Sequence, residues 1–85
     1  MRVTVRLFAV AREKAGRPEV VVELDEPATV ADLKRALAAT VPELAPIVPA
    51  LRVAIAAEYA ADDQRVPPGA EVAIIPPVSG GGPLP

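Results

Sequence analysis

The chain has 85 residues, a formal net charge of −2, and neither cysteine nor histidine. These absences exclude disulfides, thiolate nucleophiles and the usual zinc ligands, so any sulfur chemistry would need sulfur that is added to the chain. The charge argues against nucleic-acid binding, which needs a basic face, and two aromatic residues, Phe8 and Tyr59, are too few for a base-stacking platform.

The length predicts one small domain with a modest core, since much of the 52% apolar content is alanine. The first residues lack the apolar stretch of a signal peptide, and no apolar run reaches the roughly 18 residues of a membrane span. We therefore expect a soluble cytoplasmic protein that binds neither nucleic acid nor membrane.

Two strands are predicted near the N-terminus. Apolar and polar residues alternate from Arg2 to Phe8, which is the period of a half-buried strand, although Phe8 itself falls on the polar side. A second strand is expected over Glu19–Leu24, after a turn region at residues 13–18 that contains glycine and proline. Because the two strands lie close in sequence, we expect an antiparallel hairpin.

One helix is predicted over Val30–Thr40. Thr29 is a candidate N-cap, and Asp32 three residues later gives a capping-box pattern with a shorter acid than the usual glutamate. Apolar residues then recur at helical spacing, and the helix should end before the next proline. The following segment should hold at most one short helical turn, because it contains three prolines: Pro42, Pro46 and Pro49.

The remaining strands are predicted over Leu51–Ile55 and Val72–Ile75, with a short extended segment at Arg65–Val66 between them. The last strand is apolar on both faces, which is typical of a central position in a sheet. The expected fold class is α+β: a mixed four- to five-stranded sheet packed on one main helix.

Conventional catalysis has few candidates. Asp62 and Asp63 are adjacent carboxylates, but such residues in a turn usually cap it and face water, and no third metal ligand lies nearby. The glycines at 80–82 precede neither a helix nor a lysine, so they do not form a phosphate-binding loop.

A protein interface is the better candidate on the strand surfaces. Phe8, Tyr59 and Ile75 would form an interface pattern if they share one face with Arg12 at its rim, because aromatic and arginine residues are enriched at binding hot spots. Arg12 also belongs to a small basic cluster, with Lys14 and Arg17, whose alternative interpretation is a solvated loop.

The C-terminal residues are the most informative part of the chain. Pro76 and Pro77 should end the last strand, since proline cannot donate to a sheet ladder. The glycines at 80–82 then predict a thin, flexible tail, so that residues 1–78 form the folded domain and residues 79–85 the tail. Such a tail is typical of a frayed terminus, or of a terminal carboxylate that must enter a narrow channel.

Three segments resemble one family. They are residues 5–13 (VRLFAVARE), residues 29–33 (TVADL) and residues 72–81 (VAIIPPVSGG). Together they are similar to the MoaD family, the small sulfur-carrier subunit of molybdopterin synthase, which has a ubiquitin-like β-grasp fold. The strand, two prolines, Val-Ser and Gly-Gly in register are the most specific part of this likeness.

The resemblance implies a mechanism in which this chain is a covalent cosubstrate rather than an enzyme. An E1-like (MoeB-like) adenylyltransferase would use ATP to activate the Gly81 carboxylate, and a sulfur donor would convert it to a thiocarboxylate. The tail would then enter the large (MoaE-like) catalytic subunit and donate sulfur to cyclic pyranopterin monophosphate. No bound cofactor or metal is implied. By the same likeness, Gly80 accompanies Gly81 at the reacting end, and the partner contacts are Phe8, Arg12, Tyr59, Ile75, Pro76, Pro77, Val78 and Ser79.

The chain departs from the family pattern at several places. Ala56 stands where asparagine is usual, and residues 68–71 (PGAE) replace an Asp-Gly-Asp-Glu turn. The main departure is that family members typically end at the second glycine, whereas here residues 82–85 (GPLP) follow it.

Three explanations compete for these four extra residues. A protease could remove them, and this is the explanation we favour. They could also be left over from an artificial fusion, or the chain could have lost its carrier activity. Carriage of sulfur for cysteine, thiamine or tRNA synthesis, and a ubiquitin-like modifier or binding module, remain alternative functions.

Overall fold

The computed structural model describes residues 1–75. The predictions about Pro76, Pro77 and the tail, including Gly80 and Gly81, therefore lie outside the described residues. The elements are β1 (Arg2–Leu7), α1 (Ala9–Ala15), β2 (Glu19–Glu23), α2 (Val30–Thr40), β3 (Arg52–Ile55), β4 (Glu58–Ala60) and β5 (Val72–Ile75), with 3₁₀ turns at Pro42–Leu44 and Val48–Ala50.

The five strands form one mixed sheet in the order β2-β1-β5-β3-β4. β1 pairs antiparallel with β2 and parallel with β5, while β5 and β4 each pair antiparallel with β3. The last strand thus lies at the centre, as its uniformly apolar sequence predicted, and the first two strands form the expected hairpin. The mixed sheet with one main helix confirms the predicted fold class.

One face of the sheet and α2 enclose the core. Along β1 the buried positions alternate strictly with exposed ones, so that Val3, Val5 and Leu7 all face inward. From α2, Leu33 and Leu37 join the same apolar cluster and are fully buried. The opposite face of the sheet is not covered by a helix, and the strand side chains that point to it are mostly exposed, with Ala54 as a buried exception.

The N-terminus of α2 is closed by the predicted capping box. The backbone N–H of Thr29 donates to the Asp32 carboxylate at 2.9 Å, and the Asp32 N–H donates to the Thr29 hydroxyl at 3.3 Å. These hydrogen bonds satisfy donors that the first turn of a helix leaves without partners. The Arg35 side chain binds the same carboxylate from the solvent side.

Three local predictions were wrong. Residues 9–15 form α1 rather than leading directly into a turn, and Gly16 caps this helix with a positive φ of 74°. The extra strand lies at Glu58–Ala60, whereas Arg65 forms only an isolated bridge with Thr29. Two 3₁₀ turns, not one, occupy the proline-rich segment, because Pro42 and Pro49 both fall in the first two positions of a turn, where proline is tolerated.

None of the helices within residues 1–75 is long and apolar enough to cross a membrane.

Candidate functional site

The open face of the sheet, meaning the face turned away from α2, carries a row of four paired residues. In the strand register Arg6 lies opposite Ala73, Ala73 opposite Ala54, and Ala54 opposite Tyr59. Cross-strand partners share a face, so two alanines separate an arginine on one side from a tyrosine on the other. The short alanine side chains leave a depression between two taller walls.

A second row runs beside the first. Ile75 lies opposite Arg52 on β3, and Phe8 follows the end of β1, next to the Leu7–Ile74 pair. Phe8 is 42% exposed and Tyr59 is 61% exposed. Both aromatic residues of the chain are therefore exposed on one face of the sheet, and neither belongs to the buried core.

These rows enclose a groove of about 430 Å³, which we call the alanine-floored groove. Ala54 and Ala73 form its floor, and its other lining residues are Arg6, Phe8, Ala57, Tyr59, Glu71 and Ile75. Its size and apolar floor suit an inserted side chain of a partner, since such pockets hold the anchors of an interface.

Arginines stack on both aromatic walls of this groove. The Arg6 guanidinium lies 5.8 Å from the centroid of the Phe8 ring, and that of Arg52 lies 5.3 Å from the Tyr59 centroid. These are cation–π contacts, which hold an aromatic ring and a planar cation in a fixed relation. Arg6 also pairs with Glu71 at 3.8 Å, but both side chains are largely exposed, so this pair adds little stability.

The structure brings together three of the four described residues that the sequence singled out as partner contacts: Phe8, Tyr59 and Ile75 all line the groove. Arg12 does not; it lies one helical turn beyond Phe8 and lines a separate hollow with Gly16 and Arg17. The remaining predicted site residues lie outside the described part of the chain: Pro76, Pro77, Val78, Ser79, Gly80 and Gly81.

Sequence reasoning missed the arginines and alanines of the groove. Arg6 and Ala54 stand on the polar side of alternating strands, which placed them on the open face but did not show that they face each other across β5. That pairing depends on the strand order, and the position of the unpredicted β4 brings Tyr59 to the same row.

Of the two adjacent candidate acids, Asp62 has a local structural role. Asp62 pairs with Lys34 of α2 at 3.0 Å, and its backbone carbonyl accepts the N–H of Ala31, so it ties a loop to the helix. Within residues 1–75, no three acids, histidines or cysteines cluster in a way that could hold a metal ion.

Comparison with known proteins places this groove in a family context. The model of the ThiS family matches residues 5–81, which include the second half of β1, strands β2 to β5, both helices and the two glycines at 80 and 81. The chain belongs to the ThiS family. This confirms the resemblance to ubiquitin-like sulfur carriers, and the matched region ends at Gly81.

Two curated relatives carry the name molybdopterin synthase sulfur carrier subunit. The protein from Chlamydomonas reinhardtii is 39% identical over 83 residues, covering 95% of this chain and 100% of the relative. The protein from Arabidopsis thaliana is 33% identical over 81 residues, covering 95% and 84%.

Among solved structures, small archaeal modifier protein 1 (SAMP1) from Haloferax volcanii superposes with a TM-score of 0.83. It is 34% identical, and the match covers 95% of this chain and 100% of that one. The five-stranded sheet and its helix are thus the ubiquitin-like β-grasp fold.

Proposed function

We propose that this protein is the sulfur-carrier subunit of a molybdopterin synthase and carries sulfur as a thiocarboxylate on Gly81. The observation that supports this most strongly is the full-length likeness to a curated sulfur carrier subunit, at 39% identity. The absence of cysteine agrees with it, because the reactive sulfur is then added to the C-terminus rather than encoded in a side chain.

The chemistry proceeds in two displacements. A Gly81 carboxylate oxygen attacks the α-phosphorus of ATP within an E1-like adenylyltransferase, and pyrophosphate leaves. Hydrosulfide supplied by a sulfur donor then attacks the acyl carbon, AMP leaves, and the thiocarboxylic acid that forms loses its proton to give the thiocarboxylate. The chain provides the acyl group while its partners provide the catalytic groups, so we assign it a carrier rather than an enzymatic role.

Glycine at both 80 and 81 suits these displacements. A Cβ beside the acyl carbon would crowd the approach of the nucleophile, whereas glycine leaves both faces of the carboxylate accessible. The thiocarboxylate then acts as the nucleophile that attacks cyclic pyranopterin monophosphate inside the large catalytic subunit.

The alanine-floored groove gives the partner a place to bind. Ile75 lines the groove and is the residue directly before the segment 76–81 in the sequence, so a partner that binds there would contact the chain next to the start of that segment. The six residues 76–81 span at most about 20 Å when extended, which limits how deep the partner's reaction centre can lie.

Residues 82–85 must be removed for this role, because only a C-terminal Gly81 has a reactive carboxylate. We propose that a protease cleaves after Gly81. The family match, which ends at Gly81, supports this cleavage site.

Reconstitution tests the proposal. A chain ending at Gly81, the E1-like adenylyltransferase, ATP and a sulfur donor should give a product whose intact mass shows one oxygen-to-sulfur exchange. Adding the large subunit and cyclic pyranopterin monophosphate should return the mass to that of the carboxylate and yield the dithiolene. As a positive control, the same activating enzyme must convert its known carrier to the thiocarboxylate. If that control succeeds and the mass of this chain stays unchanged in the first step, the proposal is contradicted.

A second candidate is a ubiquitin-like protein modifier. The likeness to small archaeal modifier protein 1 favours it, since that structure superposes with a TM-score of 0.83 at 34% identity. A modifier would join Gly81 to lysine side chains. Arg65 is the last trypsin site before Gly81, so tryptic peptides from the host proteome whose lysine carries residues 66–81 would reveal the conjugates.

A further inference from the structure

Three arginines lie on the open face of the sheet, and one of them differs from the others. Arg2 pairs with Glu23 at 3.0 Å, and Arg6 pairs with Glu71 at 3.8 Å. No acid within residues 1–75 lies within salt-bridge distance of Arg52.

Stacking holds the Arg52 guanidinium without consuming its hydrogen-bonding capacity. The guanidinium carbon of Arg52 lies over the Tyr59 ring, 5.3 Å from its centroid, and within residues 1–75 the Arg52 side chain makes no hydrogen bond. The in-plane N–H groups of a stacked guanidinium remain able to bind a carboxylate through two parallel hydrogen bonds. Arg52 is therefore oriented and charged, with no acid of residues 1–75 to neutralise it.

The location of Arg52 relates it to the groove. It lies directly opposite Ile75 in the sheet, and Ile75 lines the groove. Arg52 itself lines an adjoining hollow with Lys34, and Tyr59 borders both this hollow and the groove. At the opposite end of β5, Glu71 offsets the charge of Arg6. The positive potential is thus concentrated at the tail end, while the floor between the walls is apolar.

We propose that the groove recognises a partner segment in which an apolar side chain is flanked by an aspartate or glutamate. The apolar side chain rests on Ala54 and Ala73, and the carboxylate binds Arg52 beside the exit of the tail. Arg52 thereby selects among partners and sets the orientation in which the tail enters them. This inference rests on the proposed function, because it takes the large catalytic subunit as the partner.

Binding of the chain that ends at Gly81, the form used in the reconstitution, to the purified large subunit of molybdopterin synthase from the same genome tests it. We expect Arg52→Gln to raise the Kd about tenfold at low salt, with a smaller effect at high salt because exposed charges are screened. Arg2→Gln is the matched control: it removes the same charge from the same face, and we expect a change within about twofold, since rim charges away from the contact contribute little.

A second variant tests the apolar half of the proposal. Ala73→Leu raises the floor of the groove and should weaken binding at low and high salt alike. Thermal melts of both variants verify that they are folded.

Equal effects of Arg52→Gln and Arg2→Gln would overturn the inference, since they would show only a general dependence on net charge. An unchanged Kd for Arg52→Gln would also overturn the inference. In that case, sulfur transfer by the wild type would show that the proposed function still holds. A wild type that neither binds the large subunit nor forms a thiocarboxylate would overturn both. Self-association of the chain that Arg52→Gln abolishes would identify a second copy as the occupant instead.

Discussion

Two adjacent alanines, Ala56 and Ala57, form the turn between β3 and β4 with φ values of 52° and 68°. A two-residue hairpin with positive φ at both central positions normally uses Asn-Gly, because a Cβ is strained in this left-handed region. The sequence therefore gave no hairpin signal here, and β4 escaped prediction. Since Ala57 also lines the alanine-floored groove, the strain lies beside the proposed binding surface.

Replacing Ala57 by glycine should stabilise the fold. Relief of the left-handed strain exceeds the entropic cost of glycine, so we expect the free energy of unfolding to rise by about 0.5–1 kcal/mol. Chemical denaturation measures this difference. Ala45→Gly is the control: Ala45 is also exposed but has a φ of −50°, so there the same change should lower stability. Loss of stability in both variants would contradict the assignment of strain to Ala57.

At Gly81 we expect a chemical rather than a structural effect. Gly81→Ala should slow thiocarboxylate formation by on the order of a hundredfold, because small displacements of a reacting group are costly. The melting temperature should scarcely change, as substitutions away from a core usually alter stability by less than about 0.5 kcal/mol. A large melting shift with normal thiolation would show that Gly81 has a structural role instead.

Among the elements, α2 was the most predictable, and its bounds agree with the sequence prediction. Its start has a capping pair and its end a nearby proline, so both boundaries are encoded locally. By contrast, α1 has seven residues, no side-chain cap at Phe8, and only Gly16 to mark its end. A helix this short is marginal alone, and its packing through Ala11 into the core cannot be read from local sequence.

The capping pair makes stability depend on pH. Hydrogen bonds from the backbone N–H and the hydroxyl of Thr29, together with Arg35, lower the pKa of Asp32. The stabilisation is therefore complete above about pH 4, the ordinary pKa of an aspartate in an unfolded chain, and is lost as the pH falls through the lowered value.

Asp32→Asn should therefore lower the melting temperature at neutral pH, and the difference from wild type should shrink as the pH falls below about 4. Thr29→Ala should cost about 1 kcal/mol at neutral pH, the usual effect of losing an N-cap. Thermal melts across pH measure both. A deficit of Asp32→Asn that grows on acidification would contradict this account.

Strand β5 has one structural and one functional face. Ile74 is fully buried in the core, whereas its neighbour Ile75 lines the open groove. Ile74→Ala should lower the free energy of unfolding by about 3 kcal/mol through loss of buried surface and formation of a cavity. Ile75→Ala should cost much less stability and instead weaken partner binding. Scanning calorimetry of unfolding and titration calorimetry of partner binding, applied to both variants, separate the two roles. If Ile75→Ala lost more stability and Ile74→Ala more binding affinity, the assignment of faces would be contradicted.

At the scale of the whole molecule, the sheet order connects the fold to the proposed function. Because β5 lies between β1 and β3, the groove forms around the last strand, and the described part of the chain ends at Ile75 in that groove. Sequence patterns predicted the central strand and the exposed Phe8. They could not predict that Arg6, Ala73, Ala54 and Tyr59 form one row, because that depends on pairings between distant segments.

Charged and apolar side chains are also distributed unevenly over the open face of the sheet. At the outer end of the β1–β2 hairpin the open face carries the ion pair of Arg2 with Glu23, whereas on β5 and β3 it carries the apolar floor of the groove, between the Arg6–Phe8 and Arg52–Tyr59 contacts. A partner would gain little by binding the first region and more by binding the second, where apolar surface is exposed.

The most direct test of the central claim is the intact mass of this protein isolated from its own host under conditions that preserve thiocarboxylates. We predict a species that ends at Gly81 and has sulfur in place of one carboxylate oxygen. A protein that always retains residues 82–85 and never carries the additional sulfur would contradict the claim.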